Sequence, residues 1–390
     1  MINLPALKSI KSLQVFFIAV ILLFVLFRYL FLGANFSQFI VAGDDFVNKD
    51  TVAESTIIHK GQGYDGQFFY RYAHHPLNKE KIAFGITVDH IEYRIQRIVY
   101  PATVWLFSLV SSKSSIPFLM VLTNFLAFLA LFYICLKFCT FNKVNPQYAL
   151  LPLFLYGGYM SLARDTSELF EVLFFVMAIY AIAVNNLLLY ATAISLSIFS
   201  RETSLVAIAP LTVLYALSIL KPKLLSVKNL LNLALLSLPF LAIILWKYYL
   251  HTSIQSDHLV DGSQNLSWPL NGIYLGLMTS LNFSNIIDSL ESVFWILYLS
   301  WNIWFAFIVI KDIKFKSLLH LNLLSILQLV FLFWTIFSLV LGHAIYIDDW
   351  GFVRVFTLFN MLGFLIIMLL NKGLNRYFLN FSTILLLLTI

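Results

Sequence analysis

The sequence predicts an all-α protein that crosses a membrane many times. Of its 390 residues, 61% are hydrophobic and only 11% are charged, whereas soluble domains carry about 25% charged residues. The apolar residues form long runs, and the basic residues lie in short clusters between them. The net charge of +6 therefore follows the positive-inside rule of membrane proteins and does not indicate binding to nucleic acid.

Eleven apolar runs are predicted to be transmembrane helices. The first, residues 13–32, follows Lys8 and Lys11 and lacks the small-residue cleavage site of a signal peptide, so we expect a retained helix with a cytoplasmic N-terminus. The other ten are predicted at residues 116–136, 147–163, 168–184, 187–200, 204–220, 230–249, 290–310, 318–341, 353–370 and 377–390.

These helices divide the chain into three parts. Residues 1–249 form a transmembrane module that includes a long outer loop at 33–115, residues 250–289 form an outer cap loop, and residues 290–390 form the C-terminal transmembrane helices. Within the long loop, residues 98–110 are apolar but too short to cross, since a spanning helix needs about 20 residues. We therefore place this segment on the outer surface as an interfacial helix.

The acidic residues of the long loop each have two interpretations. Asp44 and Asp45 follow Gly43, and a carboxylate at the rim of an apolar cavity can serve as a general base. The alternative is a helix cap or a solvated loop acid. Asp65, in the segment GYDGQFFYRYAHHP at residues 63–76, is likewise a candidate for a cap or for chemistry.

Three basic residues of the same loop are candidates for binding phosphate, because a guanidinium group offers a planar fork of donors. They are Arg71, Arg94 and Arg97. Arg94 and Arg97 are three residues apart and would share one helix face; their alternative role is to anchor an interfacial helix to lipid headgroups. His74 and His75 are adjacent and would point in different directions on a helix, so no metal site is predicted there.

The segment RDTSE at residues 164–168 lies at an outer turn between two predicted helices. Asp165 and Glu168 have the spacing of a capping box that opens the second helix. This interpretation explains both acids without a function. It leaves Arg164 and the deeper Glu171 unexplained.

Two more outer turns carry charges. Arg201 and Glu202 interrupt an apolar hairpin, and ionisable groups at membrane depth are candidates for function; a mutual salt bridge is the alternative. Asp348 and Asp349, with Arg354 just inside the next helix, predict either a salt bridge at the rim or a contact with substrate.

The placement of these charges favours an enzyme over a pump or a transporter. The sequence contains no P-loop, dinucleotide fingerprint or metal signature. A secondary transporter is expected to show interrupted helices near the middle of the membrane. Here the charges instead gather at one face, as expected of a membrane enzyme whose substrate lies in the outer leaflet.

The order of these features resembles the GT-C superfamily of membrane glycosyltransferases, such as the protein O-mannosyltransferases and the aminoarabinose and oligosaccharyl transferases. In that superfamily a long first outer loop carries an acid near its start and interfacial helices before the second span. Here Asp44 and Asp45 precede the segment with Tyr100 and Trp105. The segments GYDGQFFYRYAHHP and YRIQRIVYP also look like those of a bacterial group linked to cell-surface glycopolymer formation.

The resemblance implies a transferase that moves a sugar from a polyprenyl-phosphate donor to a cell-envelope glycan, lipid or protein. The reaction would occur at the outer, periplasmic face of the bacterial inner (plasma) membrane. Asp44 would be the general base, with Asp45 as its alternative, and Asp65 would position the acceptor or the loop. Whether a divalent cation assists is left open, and no metal ligands are assigned. The competing interpretation is a flippase or transporter of lipid-linked sugars, or an assembly partner in envelope polysaccharide synthesis.

The resemblance also assigns the remaining site residues. Arginines are expected to hold the donor phosphate, and they are Arg201 first, then Arg71, Arg94, Arg97 and Arg164. Further residues expected at the site are Tyr64, Gln67, Glu202, Asp165, Asp348 and Arg354.

The predicted topology can be tested with reporter fusions. If residues 98–110 lie on the surface, every later lysine cluster is cytoplasmic, so a reporter at Lys143 should report the cytoplasm and one at Ser112 the outside. An outside signal at Lys143 would mean that residues 98–110 cross the membrane.

Overall fold

The structure is mainly helical and has almost no sheet, which confirms the predicted all-α class. A computed structural model of the chain describes residues 9–219, 226–254, 265–281, 283–347, 349–372, 380–383 and 385. In these ranges the α-helices are α1 (Ile10–Phe31), α2 (Gly66–His74), α3 (Ile91–Ile95), α4 (Val99–Ser108), α5 (Ile116–Phe141), α6 (Tyr156–Arg164), α7 (Glu168–Ala183), α8 (Leu187–Ser200), α9 (Leu205–Ile219), α10 (Val227–Ile254), α11 (Asn271–Ser280), α12 (Ile286–Ile310), α13 (Phe315–Leu318), α14 (Leu323–Ser338), α15 (His343–Tyr346), α16 (Asp349–Val355) and α17 (Thr357–Leu370).

The longest helices have the length and composition of membrane spans. Within the described residues, five helical segments are long and apolar enough to cross a membrane, and they are Ile10–Phe31, Lys113–Phe141, Glu202–Ile219, Val227–Ile254 and Asp288–Ile310. Three more, α8, α14 and α17, are apolar but shorter. On α1 large apolar side chains such as Leu23 and Phe31 are exposed, by 65% and 77%, as expected where a helix faces lipid.

Several predicted spans differ from the helices observed. Residues 147–163 are not one helix: a 3₁₀ helix, Pro146–Phe154, is followed by α6, and Leu155 between them is extended. Pro152 lies in the 3₁₀ segment, and a proline lacks the N–H that a continuous helix needs. Residues 318–341 and 353–370 are likewise divided. Most of the predicted span at 377–390 lies outside the described residues.

The long first loop, residues 33–115, is folded against the bundle. Strands β1 (Ala42–Gly43) and β2 (Ile58–His59) pair in parallel, and β3 (Ile82–Ala83) pairs with β4 (Ile86–Thr87) in antiparallel register. The predicted short helix at 98–110 is observed as α4. Its 10 residues extend only about 15 Å, which is too short to cross a membrane. It packs between α2 and α5.

The packing of the bundle brings its C-terminal part to the first loop. Helix α7 packs against α5 and α8, and α16 packs against α6. Helices α6 and α17 approach each other so closely that a side chain at Gly157 would overlap Thr357. A glycine is needed where two helices come this near. As a result Arg354, on α16, lies beside residues that are distant in sequence.

Candidate functional site

A cavity lies where the first loop meets the end of α6. Its volume is about 530 Å³, which is within the range of small-molecule sites. The side chains around it combine charges, amides and aromatic rings. They belong to Phe46, Gln62, Gly63, Tyr64, Asp65, Gln67, Phe68, Asp89, Arg94 and Arg164.

Local backbone geometry places Asp65 at the wall of this cavity. Gly63 has a φ of +64°, which favours glycine because a side chain is strained there. Gly66 lies so close to the carbonyl oxygens of Arg164 and Ile40 that a side chain would overlap them. The segment is therefore held against the end of α6, and α2 begins directly after Asp65.

The side chain of Asp65 does not cap α2, so the predicted capping role is wrong. It makes no capping hydrogen bond and instead faces guanidinium groups. Arg94 Nη1 lies 2.7 Å from Oδ1, Arg354 Nη2 lies 2.8 Å from Oδ2, and Arg97 Nη1 lies 4.0 Å from Oδ2. Asp65 is the acid that these arginines share.

These contacts decide the protonation state of Asp65. Burial raises the pKa of its carboxyl group, but the charges of Arg94, Arg354 and Arg97 outweigh burial and hold the pKa well below its usual range. Nearby positive charge stabilises the ionised form of an acid. Asp65 is therefore a carboxylate at physiological pH, and it is a weak proton acceptor while the arginines hold it.

Each of the three arginines also has an acid of its own. Arg94 contacts Asp89 through Nε, at 2.9 Å, and Nη2, at 2.5 Å. Arg97 contacts Glu202 through Nε, at 2.9 Å, and Nη2, at 2.6 Å. Such two-point pairs are the strong form of this contact.

Arg354, the third arginine around Asp65, pairs with Glu168. Its Nε donates to Glu168 Oε1 at 2.6 Å, and Ser161 donates to the other oxygen, Oε2, at 3.1 Å. The sequence left open whether Arg354 forms a salt bridge or contacts substrate; the structure shows the salt bridges to Glu168 and Asp65. The other predicted residue of that turn, Asp348, lies outside the described residues.

Arg201, the first choice for binding phosphate, does not line the cavity. Its Nη1 lies 3.3 Å from Glu168 Oε1 and 3.7 Å from Glu171 Oε2, and it donates to the carbonyl oxygen of Arg354 at 3.1 Å. The predicted salt bridge between Arg201 and Glu202 is also wrong, because Glu202 pairs with Arg97. The contacts of Nη1 join Arg201 to α7 and α16, and its role in binding phosphate stays a prediction.

Arg71 does not line the cavity either. It is fully buried and donates to Asn78 Oδ1 at 2.8 Å and to the carbonyl oxygens of Lys81, at 2.9 Å, and Ile86, at 3.2 Å. It also donates to the carbonyl oxygen of Glu80. Both of its Nη groups donate inside the loop, so an anion could bind them only by replacing these contacts, and the role in binding phosphate stays a prediction.

Asp44 and Asp45 do not line this cavity, so the structure does not bring these predicted general bases together with Asp65 and Arg94. Both are exposed. Asp44 Oδ1 accepts a hydrogen bond from the N–H of Gly61 at 2.6 Å. Pairing of β1 with β2 turns the chain so that the two acids lie at the surface, in the alternative role of solvated loop acids.

Aromatic rings hold the arginines of the cavity in place. The guanidinium group of Arg94 lies 4.1 Å from the ring centre of Phe68, and those of Arg164 and Arg354 lie 5.0 and 5.1 Å from that of Tyr64. Arg354 Nη1 donates to the Tyr64 hydroxyl at 3.2 Å. A cation above a ring is attracted to its face, so Tyr64 links two of the arginines.

The structure places two other predicted site residues. Gln67 lines the cavity and is fixed at both ends, since Nε2 donates to the carbonyl oxygen of Gln62 at 2.8 Å and Oε1 accepts from the N–H of Gly43 at 3.1 Å. Asp165 is buried at the end of α6 with a φ of +49°, and its Oδ1 lies 3.4 Å from the Tyr100 hydroxyl. It does not begin α7, so the predicted capping box is wrong.

No protein-family model matches the sequence, and no curated protein and no solved structure matches the chain. The site is therefore interpreted from its own geometry. In the described part of the chain no three or more His, Cys, Asp or Glu side chains are grouped so that they could hold a metal ion. Of the two adjacent histidines, His74 stacks on Phe84 at 4.6 Å, and burial, with a smaller effect of Lys113, lowers its pKa to about 4.

Sequence reasoning missed Asp89 and the ionic role of Glu168. Asp89 lies five residues before Arg94, a separation that no helical rule connects, and Glu168 was assigned to a cap. The available signal was their number: two acids and two arginines lie within residues 89–97, and charged groups near lipid are expected to be paired.

The structural role of Arg71 can be tested by removing its donors. Arg71→Met keeps the apolar stem and loses the hydrogen bonds to residues 78–86, each of which is worth about 1.5–3 kcal/mol when one partner is charged. We expect a lower melting temperature of the purified protein and faster proteolysis between residues 78 and 90. Lys60→Met, at an exposed site of the same loop, is the control. A variant of normal stability that no longer binds donor would support the predicted phosphate role.

Proposed function

We propose that this chain is a membrane glycosyltransferase of the GT-C type, which moves a sugar from a polyprenyl-phosphate donor to a cell-envelope glycan, lipid or protein. The proposal includes eleven transmembrane helices, with the first loop at the outer face of the bacterial inner membrane. One observation carries it: arginines and an ionised acid line a cavity in a chain whose longest helices have the composition of membrane spans.

The arginines of the cavity wall suit the phosphate of such a donor. Arg94 and Arg164 line the cavity, and guanidinium groups bind phosphate through parallel hydrogen bonds. Their stacking on Phe68 and Tyr64 limits the conformational entropy that each would lose on binding. A lipid-linked donor would keep its polyprenyl chain in the bilayer and bring its phosphate to these residues.

The geometry favours Asp65 as the acid that deprotonates the acceptor. In the proposed step the acceptor hydroxyl gives its proton to the Asp65 carboxylate, and its oxygen forms a bond to the anomeric carbon of the sugar. The bond from that carbon to the phosphate oxygen breaks, and polyprenyl phosphate leaves with the electron pair. The arginines then stabilise the charge of the leaving phosphate, which is the usual role of positive groups in such reactions.

Turnover assays of matched variants test this proposal. The purified protein would be given a panel of labelled polyprenyl-phosphate sugars and acceptors, and release of polyprenyl phosphate would be measured. Because general-base catalysis is typically worth about 10²–10⁴-fold, Asp65→Asn should lower turnover in that range. Asp44→Asn, which removes the same charge from the surface of the same loop, should leave it near wild type.

Other outcomes separate the competing functions. Movement of donor across the bilayer without release of polyprenyl phosphate would favour a flippase. Loss of turnover in Asp44→Asn with normal turnover in Asp65→Asn would return the catalytic role to Asp44. A protein that neither turns over nor moves any donor would contradict both functions and leave the role of assembly partner.

A further inference from the structure

The arginines around Asp65 do not need this acid to remain paired. Arg94 has Asp89, Arg97 has Glu202 and Arg354 has Glu168, each at 2.6 Å or less. Removal of Asp65 would therefore leave three complete ion pairs. Asp65 is an additional carboxylate, bound where the three guanidinium groups converge.

Asp65 can be reached from the cavity, whose lining also includes Asp89 and Arg94. The side chain of Asp65 is 20% exposed, whereas those of Arg97, Arg354 and Glu168 are 4%, 7% and 0% exposed. Asp65 lines the cavity and the three buried side chains do not. An anion that enters the cavity would thus meet the carboxylate of Asp65 before it meets Arg97 or Arg354.

We propose that Asp65 occupies an oxyanion site in the ligand-free protein, and that a phosphate group displaces it from Arg94, Arg97 and Arg354. A phosphate group carries the same sign of charge as the carboxylate and offers more acceptor oxygens, so it can take over the same donors. The identification of this phosphate with that of a lipid-linked donor rests on the proposed function; the oxyanion site itself does not.

Displacement changes what Asp65 can do. The pKa of Asp65 is low because the arginines face it, and a phosphate between them would neutralise part of their charge. The freed carboxylate would then be a stronger proton acceptor, as general-base catalysis requires. Donor binding would thereby switch on the acid that deprotonates the acceptor, and an empty site would stay inactive.

Competition of this kind predicts an unusual result from a simple substitution. If Asp65 competes with the ligand, its removal should strengthen binding of an anion, whereas removal of an ordinary binding residue weakens it. In the full-length protein purified in detergent, we expect Asp65→Asn to bind inorganic phosphate about tenfold more tightly than wild type, or about 1.4 kcal/mol. Calorimetry at constant ionic strength would measure this.

Two further variants show whether the gain comes from the site. Asp44→Asn removes the same charge from the same loop, so its phosphate affinity should equal that of wild type. Asp65→Asn combined with Arg94→Gln should lose the gain, since one of the converging donors is gone. Equal or weaker binding by Asp65→Asn, the same gain in Asp44→Asn, or no binding by any variant would each overturn the inference.

A measurement on the wild-type chain covers the case in which Asp65→Asn does not fold. With ¹³C-labelled aspartate, the carboxyl resonance of Asp65 should titrate at higher pH when phosphate is present; an unchanged titration would overturn the inference. The result is separate from that of the turnover assay. If Asp65→Asn binds phosphate more tightly but the protein transfers no sugar, the oxyanion site is supported and the transferase is contradicted. If the protein transfers sugar but Asp65→Asn does not bind phosphate more tightly, the transferase is supported and the oxyanion site is contradicted.

Discussion

The site depends on the ion pairs that the guanidinium group of Arg354 makes. Arg354 is buried, and a buried charge without a partner costs several kcal/mol. Its partners come from two distant parts of the chain, Asp65 in the first loop and Glu168 at the start of α7. The contact with Asp65 joins the first loop to the helix bundle, and Asp65 is also part of the cavity wall.

The need to pair buried charges also distinguishes the arginines from one another. Arg71 and Arg201 use Nη donors within the protein, so an anion that binds these groups would have to break contacts within the fold. Arg94 meets the cavity and shares its contact with Asp65. Proximity to the outer loops, which the sequence indicates, is therefore a poor guide to function; the identity of the competing acceptor decides which arginine can bind a ligand.

Periodicity and composition predict the helices, because these are local properties. The short helix at 98–110 was predicted from its length, and Pro152 explains why residues 147–163 do not form one helix. Local properties do not decide whether Asp44 or Asp65 is the general base. Both acids lie next to a glycine, and what separates them is the pairing of Ala42 with Ile58 and the approach of Arg354, which no pattern in one sequence reveals.

A buried network of arginines and acids is weak evidence for stability. Well-packed apolar residues of similar volume often give equal or greater stability, because removal of charges from water costs about as much as their attraction returns. Stability alone therefore does not explain why several ion pairs converge at the wall of a cavity. Ligand binding does: a set of donors that is already oriented, and occupied by an exchangeable carboxylate, remains ready for an anion. In this respect Asp65 contributes to the fold and to the site through the same contacts.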